Sequence, residues 1–457
     1  MSVMIDDQLD ALADFRGAVI RPADNTYADV ARTAVAFGSP ALVLRPADTL
    51  DVQRAVRFAA ATDLPIAVRG GGHSFAGLGT IDNGIVIDLG NLHGINVRNG
   101  GRVQVGGGAV WRQVAEALAP HGLAISSGDT GSVGVGGLTL SGGIGWTARR
   151  DGLALDHLRA VEIVTASGDL VRVDAEQHPD LFWAVRGGGG GFGIVTGFEF
   201  QACPVGEIHF GAITFPATEV ADVLPGWVRW MRTAPDSISS TVGLANPFLG
   251  GRDAPIKITI AATDPATAEA AVRTLHSFGT VVSEDVQLRP YADILEPGAM
   301  VPPMLRFAVR SGFVAPTGVE GMTDALVRIA AQEQPAAISV HALGGAVGRV
   351  PAADTAFAHR DAALLVTTFA AAPASQLAAV REQMAGIWHE LSPHTSGAYA
   401  NFLDGSEPAA TAAVHPGPAR ERLAAVRRRY DPAGVFSREA RTTDAVASSA
   451  TTEVAGE

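Results

Sequence analysis

Glycine is the residue that most constrains this chain. Of its 53 glycines, 22 fall between Gly70 and Gly145, and a second block runs from Gly187 to Gly193. A flexible linker would mix glycine with serine and lack apolar spacing. Here the glycines interrupt apolar, β-branched runs such as Ile85 to Leu89 and Val103 to Val105. That pattern reads as tight turns between strands, with backbones that approach one another closely.

The elements around these turns follow from periodicity. Residues 40–46 read as a strand, Thr49 to Ala61 as an amphipathic helix and Leu64 to Arg69 as a second strand, which makes a β-α-β unit ending in glycines. Trp111 to His121 reads as a short helix. Leu158 to Ala166 and Asp169 to Val173 read as a hairpin turned at Ser167 and Gly168, and Ile194 to Gln201 as a further strand. After Pro204 the glycine clusters thin out. Five strand-like runs (208–215, 256–261, 305–313, 337–343 and 363–369) then alternate with alanine-rich helical stretches at 266–278, 321–331 and 375–391. The expected fold is α+β. Residues 1–205 form a two-part domain of a β-α-β subdomain and a mixed sheet, and 206–397 form an antiparallel sheet covered by helices. Residues 398–441 return to the first domain, and 442–457, rich in Ser, Thr and Ala, are a tail expected to be disordered.

Composition narrows the function. With 34 basic against 47 acidic residues the formal net charge is −13, which repels a phosphate backbone, so no nucleic-acid partner is expected. One cysteine, Cys203, excludes an internal disulfide framework and a cysteine-rich metal site. The amino terminus has no basic stretch followed by an apolar core, and no apolar run approaches the roughly 18–20 residues of a membrane span. These features read as a cytoplasmic protein with no membrane partner. The twelve histidines are scattered without ligand spacing, so no metal is expected.

Among the glycine motifs, Gly188-x-Gly190-x-x-Gly193 satisfies a dinucleotide fingerprint literally, but a strand follows it where a helix is required. The segment Arg69-Gly70-Gly71-Gly72-His73-Ser74 is more informative, because three glycines leave the imidazole with almost no side-chain cover. Phe75-Ala76-Gly77 follows directly. Two long motifs accompany it, Gly131 to Trp146 (GSVGVGGLTLSGGIGW) and Asp180 to Thr196 (DLFWAVRGGGGGFGIVT), and the chain closes with Tyr399-x-Asn401 and Tyr430-Asp431-Pro432.

Together these motifs, spanning residues 17–436, resemble the FAD-linked oxidases of the vanillyl-alcohol oxidase and p-cresol methylhydroxylase type, in the branch of berberine bridge enzyme and 6-hydroxynicotine oxidase. The resemblance implies FAD bound covalently to His73 through its 8α-methyl group. It also implies that Arg69 to Ser74 and the run Thr130, Gly131, Ser132, Val133, Gly134, Gly136, Gly137, Gly142, Gly143 and Gly145 hold the diphosphate and ribityl chain. Ile194 and Val195 then lie along the cofactor, and Tyr399 and Asn401 approach the isoalloxazine. The implied activity is oxidation of a small organic substrate (an alcohol, sugar, amine or natural-product intermediate) by hydride transfer to flavin N5, with O2 as the second substrate and hydrogen peroxide as product. A dehydrogenase, an oxygenase or a flavin-binding protein without turnover are the alternatives.

Two departures from the family matter. Thr130 stands where many relatives carry a cysteine bonded to flavin C6, so a single covalent link is expected. Arg349, in Gly344-Gly345-Ala346-Val347-Gly348-Arg349, replaces the glutamate that serves plant relatives as general base, and a guanidinium cannot accept a proton near neutral pH. Tyr399, His341 and His359 are the remaining candidates for that role.

Overall fold

The computed structural model describes residues 9–436 except 63, 247–250, 299–301, 303 and 334–335; the carboxyl-terminal tail lies outside the described residues. Three principal sheets organise the chain. The first has four strands in the order Ala18–Ile20, Leu42–Arg45, Ile85–Asp88, Ile66–Arg69. Leu42–Arg45 and Ile66–Arg69 both run parallel to Ile85–Asp88, which is inserted between them. The helix Thr49–Thr62 joins the outer two and buries Val52, Ala55, Val56, Phe58 and Ala59 against the sheet. All four residues of Ile85–Asp88 are buried, as suits a central strand covered on both faces.

The second sheet has five antiparallel strands in the order Ile95–Val97, Arg102–Gly106, Ile194–Gln201, Leu158–Val164, Leu170–Asp174. The last two form the hairpin turned at Ser167 and Gly168, where Gly168 takes a φ of +79°. The helix Trp111–Leu118 packs on this sheet, with Trp111 beside Phe200.

The third sheet is antiparallel throughout, with seven strands in the order Ser283–Arg289, Ile208–Phe215, Ile256–Ala262, Ile238–Leu244, Ala337–Ala342, Leu364–Pro373, Leu305–Val314. Alternation along the strands sends Ile338, Val340, Val366 and Ile258 to one face. There the helices Val220–Met231, Pro265–His276, Val319–Ala330 and Leu377–Leu391 cover them. Trp227 and Trp388 are fully buried on that side, their indole N–H groups donating to Ser240 and Thr368 at 2.9 and 2.8 Å. Trp227 is therefore core packing, and the half-buried Trp230 on the same helix packs against that core beside Phe278.

The opposite face of the third sheet turns toward the glycine loops. Phe210 meets Trp146, and Phe313 and Leu365 pack with Leu153, Leu155, Phe357 and Tyr399. A buried bidentate pair, Arg360 with Asp156 at 2.8 Å for both bonds, fixes this junction. The chain end then returns across the second sheet. Helix Gly417–Tyr430 buries Leu423 and Val426, and Asp431 accepts the amides of Val435 and Phe436, which pack beside the first sheet. No helix among the described residues is long and apolar enough to cross a membrane.

Candidate active site

The two glycine motifs meet backbone to backbone. A Cβ on Gly71 would lie 2.3 Å from the amide nitrogen of Gly134, and one on Gly134 would lie 2.3 Å from that of Gly71. No side chain fits on either residue without separating the loops. Loop 69–74 is anchored from beneath by Arg69, which is buried, donates to the carbonyls of Val30 and Arg32, and pairs with Asp88 at 2.9 Å. Arg69 is thus a structural post of the site.

Above that post opens a cavity of about 620 Å³, lined by Arg32, Arg45, Gly70 to Gly72, His73, Gln113 and Ser132, among others. Its size is that of a site for a cofactor or other small molecule. Among the described residues nothing accepts the amide protons of Gly71, Gly72 or His73, which leaves three adjacent N–H donors in a turn where Gly72 has φ +71°. Successive free amides with guanidinium groups nearby make an anion-binding concavity. In the adjoining run, Thr139 Oγ1 and Trp146 Nε1 are buried without a protein partner. The rim arginines are paired with Asp29 and Asp88, which also line the cavity, and the free amides and orphaned polar atoms beside them fit a flavin dinucleotide.

In the other glycine block the first three amides are already taken. The amides of Gly187 and Gly189 donate to Leu140, and that of Gly188 to Ala184. A Cβ on Gly187 would strike Phe357 and one on Gly188 would strike Leu423, so these two glycines are packing positions. The amides of Gly107 and Gly108 are likewise taken by Thr196 and Leu92.

His73 lines the cavity with its Nε2 3.0 Å from Ser132 Oγ, and burial pushes its pKa below the ordinary histidine value. The ring is neutral at pH 7, the state in which imidazole is a nucleophile. Thr130 pairs through its backbone with Glu296, and segment 291–298 buttresses this loop: Tyr291 bonds Ser127 and Ile125, and Arg112 donates to Ala292 and Leu295. Cys203 does not line the cavity; it sits on a short strand paired with Leu123–Ala124, where its sulfur faces His157 at 3.7 Å.

At the other end of helix Val135–Ser141, Tyr399 and Asn401 dock on the turn of Gly142 and Gly143. The Tyr399 hydroxyl accepts the Gly143 amide and the Asn401 side-chain N–H, both at 2.9 Å. Burial raises the Tyr399 pKa, so the phenol keeps its proton, and with both lone pairs engaged it acts as a donor. His341 lies on the loop-facing side of its strand, in register with Thr241 and Leu365, and its ring faces Phe402. Burial lowers its pKa while the Asp129 carboxylate opposes that shift; the same carboxylate raises the Tyr399 pKa further. Asp129 is a residue that the sequence reading did not single out; its only sequence signal is its place directly before Thr130.

Three further expected site residues are built into the packed walls. His359 stacks on Phe313 and its Nε2 donates to the Val414 carbonyl at 2.9 Å, so it is a wall residue whose ring nitrogen is committed. Ile194 is 1% exposed and packs in the core with Leu42, Leu44, Ile87 and Val164. Val195 is also buried, packed with the second-sheet core, and its carbonyl lies against Gly107. Arg349 is mostly exposed and pairs with Asp236, while Gly136 backs onto Phe198 and Gly145 onto Ser127.

Comparison with known proteins agrees with this geometry. Residues 40–174 match the sequence family described as FAD binding domain. The uncharacterized FAD-linked oxidoreductase YgaK of Bacillus subtilis (strain 168) is 31% identical over 401 residues, 84% of this chain and 87% of that protein. The chain belongs to the FAD-linked oxidoreductases. Within them it falls in the vanillyl-alcohol oxidase and p-cresol methylhydroxylase superfamily, on the berberine bridge enzyme-like branch. (R)-6-hydroxynicotine oxidase of Paenarthrobacter nicotinovorans is 31% identical over 304 residues, 63% of this chain and 64% of that protein. The crystal structure of 6-hydroxy-D-nicotine oxidase from Arthrobacter nicotinovorans superposes with a TM-score of 0.81 at 28% identity, covering 92% of this chain and 96% of that one. Glucooligosaccharide oxidase from Acremonium strictum, described with a 6-S-cysteinyl, 8α-N1-histidyl FAD, shares the fold at a TM-score of 0.81 and 23% identity, over 94% and 97% of the two chains.

Proposed function

We propose that this FAD-linked oxidoreductase is an oxidase that holds its flavin by one covalent bond, to His73, and oxidises a small organic substrate with dioxygen as the electron acceptor. The observation that carries the reading is the neutral His73 imidazole lining the cavity beside three free amides. Thr130 supports a single bond, since a hydroxyl cannot replace the thiolate of the cysteinyl relatives and Cys203 does not line the cavity. When bound, FAD supplies the hydride acceptor and the route of electrons to oxygen.

The protein's residues divide the remaining work. The amides of Gly71 to His73, with Arg32 and Arg45 at the rim, hold the anionic part of the cofactor. Tyr399, locked by Gly143 and Asn401, offers its hydroxyl proton as a hydrogen bond. His341 is the best-placed proton acceptor of the three candidates, because its imidazole is neutral and lies on the sheet face toward the glycine loops, with Asp129 able to stabilise the protonated ring. The substrate then lies between that face and the flavin loops, near Thr241, Thr259 and Trp146.

Oxygen uptake tests the activity. Purified protein reduced anaerobically by a substrate from a panel of alcohols, amines and oligosaccharides should regain its flavin absorbance on admission of air, with one peroxide formed per substrate. Reoxidation only by an artificial acceptor would make it a dehydrogenase.

A further inference from the structure

His73 has two ring nitrogens and only one can bond the flavin. Nε2 lies 3.0 Å from Ser132 Oγ, whereas among the described residues no hydrogen bond reaches Nδ1. Ser132 is itself closely confined. Its carbonyl faces Gly71, where a Cβ would come within 3.0 Å, and a Cβ on Gly298 would lie 2.0 Å from its hydroxyl oxygen. The hydroxyl is held between the histidine ring and the end of the 291–298 buttress, with little freedom to turn elsewhere.

We propose that Ser132 is a positioning residue for cofactor attachment: its oxygen accepts a hydrogen bond from Nε2–H and so holds His73 in the tautomer whose lone pair is on Nδ1, making Nδ1 the atom that bonds the flavin methyl group. The inference rests on the reading of His73 as the attachment point. The same residue in the opposite role, donating to Nε2, would leave a proton on Nδ1 and block it. Attachment joins Nδ1 to the methyl carbon. One proton leaves that carbon and one leaves Nε2, two electrons pass to the flavin, and dioxygen takes up two electrons and two protons to give hydrogen peroxide. The hydrogen bond to Ser132 therefore acts before and during bond formation, and has no part in later substrate turnover.

The test uses wild type, Ser132→Ala and Ser132→Thr, each purified as expressed, incubated in air with added FAD and sampled over time. Samples are denatured, and flavin fluorescence of the polypeptide band, with intact mass, gives the covalent fraction. Removing the acceptor should slow attachment about tenfold, the factor that corresponds to about 1.4 kcal/mol, and threonine, which keeps the hydroxyl, should restore it to within about threefold. Wild-type attachment rates in Ser132→Ala would overturn the role of Ser132 and leave His73 as the attachment point. A second measurement does not depend on how the variants fold: NMR of the histidyl-flavin peptide from the wild type should show the bond at Nδ1. A bond at Nε2 would overturn the proposal, and a wild-type His73 peptide free of flavin would overturn both it and the reading beneath it.

Discussion

Gly71→Ala is the sharpest test of the two-loop contact. The added Cβ would meet the Gly134 nitrogen at 2.3 Å and its Cα at 2.7 Å, against an ordinary contact of about 3.4 Å or more. The loops must part by roughly 1 Å. Both contacts are backbone, so no side chain can swing aside, and Gly71 has no positive φ that would add a separate penalty. Overpacking of this kind costs about 1–3 kcal/mol, which at about 1 °C per kcal/mol for a chain of this length lowers the melting temperature by roughly 1–3 °C. The larger effect is on chemistry, because a shift of about 1 Å at a reacting group costs on the order of 100-fold, and loop 69–74 carries His73. Gly94→Ala is the control, since nothing lies within 4 Å of its added Cβ. Differential scanning calorimetry and the covalent flavin fraction should show Gly94→Ala unchanged and Gly71→Ala both destabilised and depleted of covalent flavin. A Gly71→Ala protein with wild-type melting and full attachment would refute the contact argument.

Other outcomes follow from buried polar groups. Tyr399→Phe leaves the Gly143 amide and the Asn401 N–H without their shared acceptor, which should destabilise the protein by about 1–3 kcal/mol in urea unfolding. Because burial keeps the Tyr399 phenol protonated, the wild-type rate should also show no tyrosine titration between pH 6 and 9. Asp156→Asn breaks a bidentate pair whose arginine is 3% exposed and should cost about 3–5 kcal/mol, seen as a lower urea midpoint. His415 has its pKa pushed down to about 4, chiefly by burial, so the unfolded chain binds its proton near pH 6.5 and the folded chain does not. Its contribution is full above pH 6.5 and is lost as pH falls toward 4, amounting to roughly 3 kcal/mol at most; His415→Gln should flatten the stability profile over that window.

Much of this was legible in the sequence because it is written in local pattern. Alternating apolar residues give Ile194–Gln201, and Ser167-Gly168 gives the hairpin turn. The missed strands lack such a signal. Ser283–Arg289 is an exposed edge whose charged residues guard against pairing with another chain. Ile238–Leu244 carries Ser239, Thr241 and Gly243 on its loop-facing side, which blurs its apolar alternation. Insertion of Ile85–Asp88 between the two strands of the β-α-β unit is a choice of long-range pairing that no local pattern records. At the site, the motif located His73 and its loop, but His359 and His341 look alike in sequence; only the sheet register and the Val414 carbonyl separate a wall residue from one facing the glycine loops. Glycine counts likewise cannot tell free amides at 71–73 from occupied ones at 187–189.

The central claim is a flavin bound once, through His73. Purified wild type and His73→Ala should be denatured in acid, freed of small molecules and weighed intact, with peptide mapping across residues 69–74. The account predicts wild type heavier by one FAD less two hydrogens, with all flavin on the His73 peptide, and His73→Ala at the mass of the bare chain. Flavin released wholly into the supernatant from wild type, or still attached in His73→Ala, would contradict it.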